Sequence, residues 1–431
     1  MRIAGKTAAE IFDSVRLMTQ SKVLRPGDAL PPVRDLAVAL AVNRNTVAAA
    51  YKRLVAAGIA VSQGRLGTLI RPPERIGEQE GALPGSPLTD VASGNPNPMW
   101  LPDVEAALAR RPYRKRLYGE PTVCAELGDY ARRWLGPDMP GAYEIDLTHG
   151  AVDAIERLLA AELVCGDKVA VESPCFLSSI NTLRIAGLSP VGVRVDEEGM
   201  QADALEKALA TGVQAVIITP RAHNPTGFSV SARRAREIRA VLEKHPHVLV
   251  IVDDHFALLS TEPYNCVIPA AAKRWALIRS VSKVLGPDMR LAVVGSDPQT
   301  SQRLRLRLAC GTNWVSHLLQ DIVIATLACP VFQAQIGLAK EDYARRRQLL
   351  VDALAEQGID ASSPCDGLNL WLPLDRETQA ITHALAKRGW LARSSDSFCV
   401  DDIVPGLRLT TSALEAGEAR KLARDISECL G

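Results

Sequence analysis

Apolar residues recur at helical spacing in three stretches near the start of the chain, which predicts three short helices. The first helix opens with a capping box formed by Thr7 and Glu10. The second follows a Pro-Pro pair, and a tight turn joins it to the third, for which Asn43 is the expected N-cap. The predicted inward faces consist of Ile11, Val15 and Met18, then Val33, Leu36, Ala37 and Leu40, then Val47, Tyr51 and Leu54.

Two short helices joined by a tight turn, with polar and basic residues at the start of the second, are typical of a helix-turn-helix. Two strand-like segments, 59–62 and 68–70, follow and enclose a glycine-rich tip that carries an arginine. Such a hairpin predicts a wing that contacts the minor groove or the DNA backbone. The alternative is a small helical subdomain with a solvated basic face.

Charge is divided unevenly along the chain. Residues 1–75 contain 12 Lys and Arg against 5 Asp and Glu, and the remaining residues contain 38 against 44. A basic head on an acidic body favours contact of the head with a polyanion.

Residues 7–71 resemble the winged helix-turn-helix of GntR regulators. The matching motifs are Leu-Pro-Pro-Val-Arg-Asp-Leu-Ala at 30–37, Asn-Arg-Asn-Thr-Val at 43–47, and the glycine-rich tip at 64–68. The resemblance implies that four of these residues contact DNA or support the contact: Arg34, Arg44, Thr46 and Gly67. The outer face of the third helix and the wing tip add three candidate DNA-binding residues: Asn45, Lys52 and Arg65.

Residues 72–92 are rich in Pro, Gly and polar residues, which predicts a flexible connector; an ordered second half packed on the body is the alternative. Apolar runs separated by helical segments then follow at 168–171, 215–218, 248–252, 276–278 and 291–294. Continuous Val- and Ile-rich runs predict an α/β body whose mostly parallel sheet is covered by helices on both faces. Ligands in such folds bind at the carboxyl ends of the strands.

The residues that follow these runs carry a coherent chemistry. A glycine turn opens a helix at Gly150, two aspartates follow 248–252, and Arg-Ser-Val-Ser-Lys ends at Lys283. A lysine amine condenses with an aldehyde cofactor, and an aspartate keeps a pyridine nitrogen protonated. Hydroxyls, an arginine and helix N–H groups hold a phosphate.

This order resembles the fold-type I aminotransferases over residues 90–431. The resemblance implies that pyridoxal 5'-phosphate forms a Schiff base with Lys283, that Asp253 pairs with the pyridine nitrogen, and that Asn224 bonds the phenolic oxygen. Phe176 would stack on the ring, and the phosphate would be held by Gly150, Ala151, Ser280, Ser282 and Arg290. Tyr118 would reach the cofactor of a partner subunit. Arg408 would receive a ligand carboxylate; a salt-bridged strand arginine is the alternative.

A GntR-type head joined to an aminotransferase-like body resembles the MocR regulators. The expected domains are a winged helix-turn-helix at 1–71, a linker at 72–92, and a pyridoxal-phosphate-binding domain at 93–431 with a small α+β subdomain at about 341–431. The resemblance implies a head-to-tail homodimer that binds double-stranded operator DNA and responds to the cofactor or to an amine ligand. Within the family, residues 4–14 and 43–54 are most similar to a regulator of vitamin B6 supply, so control of pyridoxal kinase is one expectation.

The sequence departs from the aminotransferase pattern at several positions. Val123 replaces a glycine, Gly128 an arginine, and His255 with Phe256 a tyrosine that would bond the phenolic oxygen. His255 is a substitute donor or a packed or solvated loop histidine. Three functions therefore stay open: a cofactor-responsive regulator with little turnover, a working aminotransferase with a DNA-binding head, and a DNA-binding protein whose body has lost its ligand.

The nine cysteines show no zinc-binding spacing and are expected to be buried small apolar residues in a reducing cytosol, with no metal bound. The sequence has no signal-peptide pattern at its start and no stretch apolar enough to span a membrane. These observations predict a soluble, cytoplasmic protein.

Overall fold

The computed structural model describes residues 2–62, 67–71, 80–81, 85–111, 114–361, 365–400 and 404–431. The chain divides into two compact units, Met1–Ile76 and Gly77–Gly431.

The first unit is a three-helix bundle followed by a hairpin. It contains α1 (Ala8–Gln20), α2 (Val33–Leu40), α3 (Arg44–Ala56), β1 (Ala60–Ser62) and β2 (Thr68–Ile70), with β1 and β2 paired antiparallel. The predicted caps are present, because Thr7 accepts from the Glu10 amide at 3.2 Å and Asn43 accepts from the Asn45 amide at 2.8 Å. The side chain of Glu10 turns back to the amide of Lys6 instead of that of Thr7, so the capping box is incomplete.

The core of this unit contains most of the predicted inward faces, joined by Leu30, Ala50, Ala60 and Ile70. Ile11, Val47 and Leu54 are fully buried, and the Tyr51 hydroxyl donates to the Pro31 carbonyl at 2.7 Å. The two helices of the predicted motif are thereby fixed against each other, with the start of α3 left at the surface.

The second unit is built on a large sheet. Its first part contains β3 (Thr89–Asp90), α4 (Val104–Ala109), α5 (Ala125–Leu135), β4 (Glu144–Thr148), α6 (Ala151–Glu162), β5 (Lys168–Ser173), α7 (Leu177–Ile185), β6 (Ser189–Asp196), β7 (Gly199–Met200), α8 (Ala202–Leu209), β8 (Val213–Ile218), α9 (Ala232–Glu243), β9 (Leu249–Asp253), β10 (Trp275–Ser280), α10 (Ser282–Leu285), β11 (Ala292–Ser296), α11 (Pro298–Ala309) and α12 (His317–Leu327). The strand order is β4-β11-β10-β9-β8-β5-β6-β7. The central strands β10, β9, β8, β5 and β6 are parallel, whereas β11 is antiparallel to both neighbours.

Strand β9 shows why its sequence is an unbroken apolar run. Leu249 and Ile251 pack in the core formed with α6, α7 and α11. Val250 and Val252 pack in the opposite core, formed with α8 and α9. Because successive side chains point to opposite faces and both faces are covered, every position is buried, as the sequence predicted.

A smaller layer completes the second unit. It contains α13 (Pro330–Ala355), β12 (Asn369–Pro373), α14 (Gln379–Lys387), β13 (Trp390–Leu391), β14 (Arg393–Ser394), β15 (Gly406–Thr410) and α15 (Ala416–Leu430). Strands β12, β15 and β14 form an antiparallel sheet whose core is shared with α13, α14 and α15.

The end of the predicted linker belongs to this layer. Strand β3 pairs with β13, and Val91 is buried in the core of the layer. The flexible connector predicted for 72–92 is therefore wrong for its last residues, because Val91 is an apolar side chain with a core to enter. These last residues instead follow the alternative, in which the second half of the connector is ordered and packed on the body.

The nine cysteines are all unpaired, but only Cys175 is buried, and Cys165 and Cys310 are exposed, which corrects the expectation that all are core residues. In the described part of the chain, no single helix is long and apolar enough to cross a membrane. One bent pair, α12 with α13 at 74°, meets the length and composition requirement only when taken together.

Candidate functional site

A cavity of about 380 Å³ opens at the carboxyl ends of the central strands. The turns after β4, β5, β8, β9 and β10 all contribute to its wall, as the sheet topology requires. Its lining includes most of the residues that the sequence singled out, namely Ala151, Phe176, Asn224, Asp253, Ser280, Ser282, Lys283 and Arg290.

Lys283 lies in the short helix α10, which follows β10. Its amine donates to the carbonyl of Gly94 at 2.7 Å. Burial lowers the pKa of Lys283, while the charge of Glu80 raises it in part and that of Arg408 lowers it again. A lower pKa increases the share of neutral amine near pH 7, which is the form that attacks a carbonyl carbon.

Asp253 ends β9 and is buried beneath the cavity. Its Oδ1 atom has no hydrogen-bond donor among the described residues. Burial, together with the charges of Asp254 and Glu172, raises the pKa of Asp253 to about 7. A buried carboxylate oxygen without a donor, at the wall of a cavity, suits a ligand that brings its own N–H group.

Gly150 lies against Arg290, whose side chain lines the cavity. Gly150 has φ +93° and precedes α6, and a Cβ atom there would lie 2.8 Å from Nη2 of Arg290. Only glycine combines this backbone conformation with so close an approach of the guanidinium. The helix N-terminus, the guanidinium and the nearby hydroxyls of Ser280 and Ser282 together suit an anion.

Two rings lie in the wall near Lys283. Phe176 follows β5 and lines the cavity, in a position to cover one face of a flat ligand. His255 also lines the cavity, so it is not the solvated loop residue that one interpretation of the sequence assumed. Burial, with a smaller contribution from Lys283, lowers the pKa of His255 to about 4, which leaves the ring neutral at pH 7 and able to donate or accept one hydrogen bond.

Arg408 lies in β15 and is fully buried. Its guanidinium makes a bidentate pair with the carboxylate of Glu80, at 2.6 Å from Oε1 and 2.8 Å from Oε2. Asn224 bridges the pair, accepting from Arg408 at 2.9 Å and donating to Glu80 at 3.1 Å. In this structure Arg408 is thus a salt-bridged strand arginine whose partner lines the cavity.

Tyr118 does not line this cavity. Its side chain is 91% exposed and contacts Trp314 edge-on, with 5.6 Å between the ring centroids.

Most of the candidate DNA-binding residues of the first unit are accessible to solvent. Arg34, Arg44, Asn45 and Lys52 are exposed, and Thr46, in the first turn of α3, is half-buried. Gly67 is exposed with φ +83°. The remaining candidate, Arg65, lies outside the described residues.

Sequence reasoning missed several residues of the cavity wall. The most consequential is Glu80, which no local pattern marks because it stands in a Gly- and Glu-rich segment and meets Arg408 across 328 positions. Others are small or polar residues in turns, such as Ser93, Asn95, Thr219 and Pro287, or in the first turn of a helix, as Ser178 is in α7. For Thr219 the position directly after a strand was an available signal, but such residues are common in turns of every kind.

Both parts of the chain match known protein families. Residues 7–70 match the bacterial regulatory proteins of the gntR family, and residues 87–426 match aminotransferase class I and II. The chain is a MocR-type transcription regulator. This regulator therefore joins a DNA-binding head of the gntR family to a body of the aminotransferase class, a fold class that depends on pyridoxal phosphate.

Curated relatives match this chain over most of their length. The regulator is 54% identical to the vitamin B6 salvage pathway transcriptional repressor PtsJ of Salmonella typhimurium, over 99% of both chains. It is 25% identical to the pyridoxine biosynthesis transcriptional regulator PdxR of Corynebacterium glutamicum, over 88% of this chain and 86% of that one.

Solved structures agree on the fold of the body. A kynurenine aminotransferase of Pyrococcus horikoshii superposes with a TM-score of 0.72 at 20% identity, over 80% of this chain and 91% of that one. The α-aminoadipate aminotransferase LysN of Thermus thermophilus gives 0.70 at 21% identity, over 80% and 93%. The predicted mostly parallel, doubly covered sheet is confirmed.

Proposed function

We propose that this regulator binds pyridoxal 5'-phosphate in the cavity at Lys283 and that the bound cofactor changes its affinity for operator DNA. By similarity to the vitamin B6 salvage repressor, the controlled genes serve vitamin B6 metabolism, with pyridoxal kinase the first candidate. As a DNA-binding regulator, the protein would act in the cytoplasm.

One observation carries the proposal. Lys283, Asp253 with its unpartnered oxygen, and Arg290, against which Gly150 lies, all contribute to the wall of one cavity. These are the three anchors that the cofactor requires for its aldehyde, its pyridine nitrogen and its phosphate. When bound, the cofactor supplies an electrophilic carbonyl and an electron-withdrawing ring.

Each of these residues would hold a different part of the cofactor. Lys283 would condense with the aldehyde, with water as the leaving group, and the buried Asp253 would accept a hydrogen bond from the pyridine N–H. Phe176 would cover the ring, and Asn224 or the neutral His255 would face the phenolic oxygen. Ala151, Ser280 and Ser282 would complete the phosphate site with backbone N–H and hydroxyl groups.

An absorbance titration with pyridoxal phosphate, run beside a DNA-binding assay on the region upstream of the gene, tests the proposal. We expect saturable formation of a coloured adduct that sodium borohydride fixes to the chain, and specific binding of the upstream DNA. Absence of any adduct would leave a DNA-binding protein without its ligand.

A working aminotransferase is the second candidate, because the fold and Arg408 are both of the kind that such an enzyme needs. Sustained conversion of an amino acid and a keto acid at about 1 per second or faster would favour it. The loss of the tyrosine at 255–256 and the engagement of Arg408 with Glu80 favour the regulator.

Arg44 provides a direct test of the DNA-binding surface. It is exposed at the N-terminus of α3, where the first turn of a recognition helix meets base edges. We expect Arg44→Ala to weaken operator binding about 10- to 100-fold, from the loss of about 1–3 kcal/mol, and to leave the cofactor absorbance unchanged. Fluorescence anisotropy of labelled operator DNA measures this.

Arg16→Ala is the matched control, because Arg16 is an exposed arginine of α1 whose pair with Asp13 is weakly stabilising. If Arg44→Ala binds the operator as the wild type does, another face of the head reads the DNA.

A homodimer, head-to-tail as in the MocR family, completes the proposal. The exposed, adjacent side chains of Leu117 and Tyr118 support a subunit interface there, from which Tyr118 would reach the partner's cofactor. Light scattering is expected to give twice the chain mass of 46.4 kDa. A monomer at micromolar concentration would remove Tyr118 from the cofactor site.

A further inference from the structure

The cavity contains a carboxylate that belongs to the chain itself. Glu80 meets Arg408 through two short hydrogen bonds and accepts a third from Asn224. Two parallel N–H···O bonds between a guanidinium and a carboxylate are the geometry in which arginine binds the carboxylate of a ligand. Glu80 therefore uses the recognition face of Arg408.

The backbone near Glu80 holds the carboxylate in position. The amide of Gly81 donates to the Ser93 carbonyl at 3.1 Å, and the Gly81 carbonyl accepts from Arg393 at 3.2 Å. The guanidinium of Arg408 also donates to the Ala92 carbonyl, and the ring of Phe398 covers it at 4.9 Å. The backbone contacts of Gly81 thus hold the segment that carries Glu80, while the contacts with Ala92 and Phe398 hold the guanidinium of Arg408.

A single residue, Gly94, separates the pair of Glu80 and Arg408 from Lys283. A Cβ atom on Gly94 would lie 3.0 Å from Oε2 of Glu80, and the carbonyl of the same Gly94 accepts from Lys283. An α-amino acid carries its carboxylate one carbon away from its amine. A ligand whose amine takes the place of the Lys283 amine would consequently direct its carboxylate toward the position that Glu80 holds.

The charge state of Glu80 agrees with this placement. Burial alone would raise the pKa of Glu80, but Arg408, with smaller contributions from Lys283 and Arg393, holds it below its ordinary value. The carboxylate is therefore ionised at neutral pH and pairs with Arg408 as an anion. Its side chain keeps 21% exposure, whereas Arg408 has none.

We propose that Glu80 determines the ligand specificity of this site: it fills the carboxylate subsite at Arg408, so that the protein takes pyridoxal phosphate as its effector and excludes α-amino acids. This rests on the proposed function, since the excluded ligands would react with the cofactor. A tethered group competes at an effective concentration in the millimolar range or above, so a free amino acid must exceed that to displace it.

The first test titrates L-alanine into the cofactor-loaded protein and follows the visible absorbance. We expect Glu80→Ala to respond at concentrations at least tenfold below any response of the wild type. Glu197→Ala, which removes an exposed glutamate outside the cavity wall, is the matched control and should behave as the wild type. Equal alanine affinities for wild type and Glu80→Ala would overturn the proposal.

The second test needs no cofactor and therefore separates this proposal from the proposed function. Propionate is titrated into the cofactor-free protein, with sodium chloride at equal ionic strength as reference, and the melting temperature is recorded. We expect propionate to raise the melting temperature of Glu80→Ala and to leave the wild type unchanged. An equal response of the two proteins means that Arg408 does not offer a carboxylate subsite when Glu80 is removed.

Glu80→Gln guards against a folding defect in the alanine variant, because its amide oxygen still accepts one hydrogen bond from Arg408. If Glu80→Ala does not fold, the same two titrations on Glu80→Gln decide: a gain in alanine or propionate binding supports the proposal, and no gain contradicts it. If no variant binds pyridoxal phosphate, the proposed function fails while the propionate titration still reports on Glu80.

Discussion

Replacing Lys283 with alanine is expected to abolish covalent capture of pyridoxal phosphate. Lys283 is the one lysine among the described residues that line the cavity. Burial lowers its pKa, which increases the share of the reactive, neutral amine. Without it, Asp253 and the phosphate-binding residues Gly150 and Arg290 remain, so the cofactor should still bind reversibly but more weakly. Borohydride treatment followed by mass spectrometry should find the adduct in the wild type and none in Lys283→Ala.

Lys340→Ala is the matched control for this experiment. Burial also lowers the pKa of Lys340, yet that lysine lies outside the cavity wall. It should leave the adduct intact, which would show that position, and not only a shifted pKa, selects Lys283. Adduct formation in Lys283→Ala at wild-type stoichiometry would contradict the assignment.

Asp253→Asn is expected to have two opposite effects. In the loaded protein it removes the anion that pairs with the pyridine N–H, so cofactor affinity should fall about 100-fold, or about 3 kcal/mol, the scale of a lost buried charge-assisted bond. In the cofactor-free protein it removes a buried carboxylate that lacks a donor, so the unfolding free energy at pH 8 should rise.

The effect on the unfolding free energy of the cofactor-free protein depends on pH through the protonation of Asp253. The pKa of Asp253 is about 7 in the folded chain, against an ordinary 3.8, so the folded state binds its proton more tightly than the unfolded state. This contribution to stability is fully present below about pH 4 and is lost as the pH rises to about 7. Denaturant unfolding of the cofactor-free protein should show this decline in the wild type, on the order of 4 kcal/mol, and a flatter profile in Asp253→Asn.

Asp146→Asn is the appropriate comparison. Asp146 is also a buried strand carboxylate, but it is paired with Ser301 and Arg305 and lies outside the cavity wall. Its replacement should destabilise the chain and leave cofactor affinity unchanged. If Asp253→Asn binds the cofactor as tightly as the wild type, the pyridine nitrogen does not face Asp253.

Much of the fold follows from short-range patterns in the sequence. The N-caps Thr7 and Asn43 fix where α1 and α3 begin, because their side chains satisfy amides that no helical carbonyl reaches. The run at 248–252 has no polar position because both faces of β9 are covered. These signals are local and need no knowledge of distant residues.

The order of residues along the chain predicts some contacts of the site and cannot predict others. Turns after parallel strands meet at one sheet edge, so the approach of Asp253, Ser280 and Lys283 to one another was predictable from their order. The pairing of Glu80 with Arg408 was not, since it joins the beginning of the second unit to β15 near the end of the chain. Only packing of the complete second unit creates that contact.

DNA affinity measured with and without pyridoxal phosphate, on the wild type and on Lys283→Ala, tests the central claim most directly. A ligand can shift a regulator only if it binds the two arrangements of the molecule with different affinities, and such couplings are typically about 5- to 150-fold. We expect the cofactor to change the operator affinity of the wild type by at least about fivefold, and to have no comparable effect on Lys283→Ala. Identical operator affinity of the wild type in both conditions, with the cofactor demonstrably attached, would contradict the account.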